Sequence, residues 1–154
     1  MQLTETISER LLLTMWVGAL WSIGYLAVPL AFVNIEATIA ATYAGKLFFA
    51  VNVIGLVSGT LLLCGKLILM RSKALQFWRF WLLVGMILIT LLLSTYLQPE
   101  MAAIKLVENW RMDNELTQQF ERLHTLSRNF YLMLSIAGLL LVLSSDKHST
   151  ANRT

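Results

Sequence analysis

Charge is what this chain has least of. Only 14% of its residues are Asp, Glu, Lys or Arg, against about 25% in an average soluble domain. Hydrophobic residues make up 57%, and mean hydropathy is +0.67. So little charge argues for a chain whose surface faces lipid rather than water. Cysteine is reduced to Cys64, which excludes an intrachain disulfide and any CxxC metal or redox motif. Histidine is nearly absent too. His148 falls in the polar tail "SSDKHSTANRT", so His124 is the only interior one, and a bis-histidine haem site inside the spans is excluded. Repeats at a solenoid period, low-complexity linkers and β-barrel alternation are all missing. The 154 residues allow one domain.

What the chain has is long apolar runs. A bilayer takes about 20 apolar residues per helix, because lipid offers the backbone no partner. Four segments qualify: Leu11–Val33, Ala44–Cys64, Phe77–Leu97 and Ser127–Ser144. The fold expected is all-α, an integral membrane four-helix bundle with a helical hairpin extension between spans three and four. The first run has 23 positions and follows "MQLTETISER", with two acids and one base. It is too long for the apolar core of a signal peptide and reads as a retained span. Residues 1–10 are then an N-terminal segment, 98–126 the extramembrane hairpin, and 145–154 a disordered polar tail.

The second connection carries Lys66, Arg71, Lys73 and Arg79 without an acid. Such a loop stays on the cytoplasmic side. Both termini are therefore expected in the cytoplasm, and the membrane is the bacterial inner membrane if the source is bacterial. Trp78 and Trp81 beside Arg79 suit an interfacial anchor. A pI of 9.2 raises the question of nucleic acid. The basic residues flank apolar runs, however, so lipid head groups are the partner expected and nucleic acid is not. In the long third connection, Pro99 suits a kink or a first helical turn. Asp113 or Asn114 can cap a new helix, with Glu115 in its first turn. Leu116, Phe120 and Leu123 carry the helical period into span four.

The stretches "MWVGALWSIGYLAVPLAF", "AGKLFFAVNVIGLVSG", "LQPEM" and "RLHTLSRNF" occur in that order. Together they resemble the transmembrane-protein-205-like family over roughly residues 11–143. The positions that match are Ala44, Gly45, Leu47, Phe48, Pro99, Met101, His124 and Ser127. The resemblance implies a small four-span α-helical membrane protein and brings no reaction with it.

Span two holds Gly55 and Gly59 as a GxxxG. Small residues at this spacing let helices approach closely. Packing within the bundle is favoured here over a homodimer face. Trp16, Trp21 and Tyr25 read as ordinary belt and bundle aromatics rather than a cofactor box. The seven methionines lack MxM or MxxM spacing, which argues against a copper relay. Cys64 reads as a small apolar filler.

Because successive spans reverse direction, polar residues can be sorted by depth. Tyr25, Lys46, Asn52, Tyr96, His124, Ser127, Arg128 and Tyr131 all fall in the half that bears the long hairpin. The opposite half, around Leu12, Leu62, Leu83 and Leu141, reads as hydrocarbon. His124, Ser127, Tyr131, Ser135 and Gly138 share one helical face. Polar groups at membrane depth should face the bundle interior or a wet cavity. Two functions follow as expectations. In the first, a small ligand, lipid or ion is bound or transported through this polar half, with His124, Ser127, Tyr131, Tyr25, Lys46, Asn52, Tyr96 and Arg128 as site residues. In the second, the chain is a scaffold for a membrane complex or a homo-oligomer. No nucleophile–base pair, paired intramembrane carboxylates or phosphate loop is visible, which disfavours an enzyme. The sequence names no cofactor, and leaves open whether His124 holds a metal or a haem.

Overall fold

A computed structural model describes residues 2–70 and 78–144. The basic residues Arg71 and Lys73 of the second connection, Ser72 between them, the start of span three at Phe77 and the tail 145–154 lie outside the described residues. The rest is helical, without a strand among the described residues. Span one is α1 (Gln2–Trp21), a π-helical turn (Ser22–Ala27) and α2 (Val28–Asn34). Span two is the single helix α3 (Ala37–Met70). Span three is α4 (Trp78–Leu92), a second π-helical turn (Leu93–Leu97) and α5 (Gln98–Leu106). A short 3-10 turn (Trp110–Met112) leads into α6 (Asn114–Leu143), which runs unbroken through span four.

Four of these helical stretches are long and apolar enough to cross a membrane, with 28 to 32 residues each. The chain is a multi-pass membrane protein. It packs as an up-and-down four-helix bundle in which α1 lies against α3 and α6, and α4 against α3 and α6. The core is mainly apolar: Trp16, Leu20, Val51, Leu83, Met86, Leu97 and Leu134 are fully buried.

Trp16 explains the small-residue stripe on α3. A Cβ at Gly55 would lie 2.4 Å from the indole Nε1, and one at Gly59 would lie 3.0 Å from Cζ3. The indole therefore lies lengthwise over both glycines, and the stripe is taken up by packing inside the bundle.

The two prolines account for the two π-turns. Proline has no N–H and its ring clashes with the carbonyl four residues back. Pro29 and Pro99 each sit in the first turn of the following helix, and each is preceded by a π-turn ending two residues earlier. There the backbone bonds reach back five residues, from Val28 N–H to the Ile23 carbonyl and from Gln98 N–H to that of Leu93. The wider turn relieves the clash and bends the helix. In the half that bears the hairpin, α2 pairs with α3, and α5 with α6.

The hairpin turn between α5 and α6 uses Asn109 in the left-handed region, φ 57°, a conformation asparagine tolerates better than most residues. Asp113 then caps α6, its carboxylate accepting from the Glu115 and Leu116 N–H groups at 2.8 and 3.2 Å.

Candidate functional site

The residues predicted from sequence separate into three groups. The first is a tyrosine centre where α6 meets the bend in span one. The Tyr131 hydroxyl donates to the Leu20 carbonyl at 2.6 Å. Gly24 is required for this approach, since a Cβ there would lie 2.3 Å from the Tyr131 ring. The Tyr131 ring meets Phe48 edge-on at 5.0 Å and lies 6.2 Å from Tyr25, which pairs with Trp21 at 4.9 Å. Ser135 is fully buried and donates to the Tyr131 carbonyl at 2.9 Å. Trp21 Nε1 reaches the Ser135 carbonyl at 3.4 Å. The polar groups here bond to helix backbone.

The second group sits at the root of the hairpin. His124 is exposed and stacks in parallel on Phe120, with centroids 5.9 Å apart and planes 6° apart. Phe120 packs on Trp110 at 4.8 Å. Lys105 Nζ lies 5.5 Å from the Phe120 centroid, and the Arg111 guanidinium 5.4 Å from that of Trp110. Arg128, one turn beyond His124, is also exposed. Lys105, Trp110, Arg111 and Phe120 were not among the site residues read from sequence, where Phe120 served only as part of the helical period. Their signal was an aromatic at i−4 from the histidine and basic residues beside aromatics.

The third group lies in mid-bundle. Asn52 is 3% exposed, and its Nδ2 has no hydrogen-bond partner among the described residues. Trp16 Nε1 and Ser58 Oγ share that condition. Lys46 and Tyr96 stay on the outer surface of the bundle, and Ser127 is half-buried. The structure brings Tyr25 and Tyr131 together, and leaves the remaining predicted residues apart from them.

The half of the bundle read as hydrocarbon is not purely apolar. Glu9 meets Lys66 Nζ at 3.0 Å and Arg79 Nη2 at 3.5 Å, within a small cleft among Leu13, Leu62, Leu83 and Leu141. Arg79 is only 8% exposed, a buried strut between helices, whereas Trp78 and Trp81 beside it are exposed. Its Nη2 also donates to the Leu141 carbonyl at 3.2 Å. That carbonyl is among the last four of α6, which have no helical donor, and a cation is favoured at that end of the helix dipole. Cys64 is exposed on the bundle surface, so it fills no core position. Among the described residues there is no group of three or more His, Cys, Asp and Glu able to hold a metal.

A family model described as a domain of unknown function, DUF4149, matches residues 11–109. The chain belongs to this family. No curated protein and no solved structure matches it. In this DUF4149 member the matched region takes in spans one to three and α5. It ends before the α6 residues that complete the tyrosine centre and the hairpin root.

Proposed function

We propose that this DUF4149 protein is an assembly protein of the membrane, whose outer hairpin docks the extramembrane segment of another integral membrane protein. The single observation behind this reading is the hairpin tip. Leu106 is 88% exposed and Met112 85%, with Val107 beside them. Large apolar side chains left exposed at the tip of a hairpin suit an interaction surface. The membrane placement is part of the proposal. The ion cluster of Glu9, Lys66 and Arg79 marks the cytoplasmic border. About 20 residues on, the outer border falls at Pro29, Lys46 and Pro99, which leaves α5, the 3-10 turn and the start of α6 outside. The chain is oriented with both termini in the cytoplasm, in the bacterial inner membrane if the source is bacterial. The resemblance to transmembrane-protein-205-like chains fits a bundle of this size and order.

The tip is tested with Leu106→Asp and Met112→Asp together, followed by native gel electrophoresis of digitonin-solubilised membranes. Wild-type protein is expected in an assembly well above the 17.4 kDa of one chain, and the variant in a smaller species of unchanged melting temperature. Equal sizes for the two contradict docking at the tip.

A second reading is that the bundle binds or transports a small ligand or ion through its outer half. The buried donors of Trp16, Asn52 and Ser58 favour it, because unmatched polar groups in a membrane core are costly. Under this reading Asn52→Leu lowers transport or binding without lowering stability.

A further inference from the structure

The hairpin root gathers positive charge without gathering negative charge. Lys105 comes from α5, while His124 and Arg128 come from α6, and Arg128 and Lys105 are the charged groups whose fields reach the imidazole. Arg111 acts in the same way on Lys105. The hairpin has acids, namely Glu100, Glu108, Asp113, Glu115 and Glu121. Yet among the described residues none forms an ion pair with Lys105, Arg111, His124 or Arg128. Asp113 is engaged instead as the cap of α6. The two cations Lys105 and Arg111 are held by aromatic faces, over Phe120 and Trp110, and the His124 ring stacks on Phe120. Cation–π contacts fix an ammonium or guanidinium in place while leaving its hydrogen-bond donors free. The result is a pre-arranged set of donors, lacking an acceptor, where helix leaves lipid.

We propose that Lys105, His124 and Arg128 bind a phosphate group at the outer membrane border. Lysine supplies a point charge and arginine a planar fork matched to phosphate oxygens. The imidazole adds an N–H donor. The head-group layer supplies this chemistry at the right depth, since anionic phospholipids place phosphate immediately outside the hydrocarbon. Free phosphate carries the same group, and the experiment separates the two sources. The inference does not depend on docking at the hairpin tip.

Native mass spectrometry of the full chain, purified in mild detergent, is the test. The probes are phosphatidylglycerol, phosphatidylcholine and inorganic phosphate. Wild-type protein is expected to retain phosphatidylglycerol in preference to phosphatidylcholine, and to lose it as KCl is raised. Lys105→Gln with Arg128→Gln is expected to weaken retention roughly thirtyfold, about fivefold for each basic residue removed. Lys105→Arg with Arg128→Lys is expected to keep it. If inorganic phosphate binds and the lipid shows no preference, with the same loss in the Gln pair, the site stands and its ligand is the free anion. If neither probe responds to the Gln pair, or lipid retention in wild type ignores salt, the proposal is wrong.

Discussion

Single residues in this bundle are judged by what a neighbour needs of them. Gly24 must lack a side chain so that the Tyr131 phenol can reach span one. Gly24→Ala should cost about 1–3 kcal/mol through overpacking and visibly lower the melting temperature in detergent. Gly18 is the internal control, because nothing lies within 4 Å of a Cβ there. Gly18→Ala should leave the melting temperature unchanged or slightly raised. A similar fall for both would mean that the phenol does not define the site. Arg79 has the opposite requirement, for charge. It reaches both Glu9 and the end of α6, while Lys66 meets Glu9 from α3. Arg79→Met should therefore lower the melting temperature more than Lys66→Met, and equal losses would remove the α6 contact from the account. Little of this cluster could be read from the sequence. Arg79 and Glu9 are 70 positions apart, and each alone looks like a charge flanking an apolar run. Only the bundle geometry makes them neighbours.

At the scale of elements, legibility followed the locality of the cause. Asp113 ahead of Glu115 announces a helix start, and that cap is present. Asp113→Ala should cost about 1 kcal/mol. It should also speed hydrogen exchange at the Glu115 and Leu116 amides, whereas unchanged exchange would show that the turn holds itself. Pro99 reads as a kink or a first turn, and it opens α5. The π-turns before both prolines are harder to foresee, because their width depends on where the carbonyl clash is relieved. The shared face of α6 was legible as periodicity. Its division into an exposed His124 and a buried Ser135 was not, since burial depends on where neighbouring helices end. Phe120, four residues before His124, lay within reach of the same periodic reading.

For the molecule as a whole, four apolar runs in 154 residues were enough to give an all-α membrane bundle. Function is the part that had to be built from surfaces. Orientation is tested by impermeant thiol labelling on a Cys64→Ser background: Asp113→Cys should label from outside, and Ser72→Cys only after the membrane is opened. The reverse pattern would invert the topology and move the hairpin to the cytoplasm. The central claim is that the hairpin tip meets another protein, and the most direct measurement is a photo-reactive amino acid placed at Met112 and activated in intact membranes. A second copy at Leu139, on the exposed face of α6, reports what a lipid-facing position captures. The account predicts a discrete protein adduct from Met112, abolished by Leu106→Asp, and only lipid adducts from Leu139. Lipid adducts or none from Met112, matching Leu139, would contradict it.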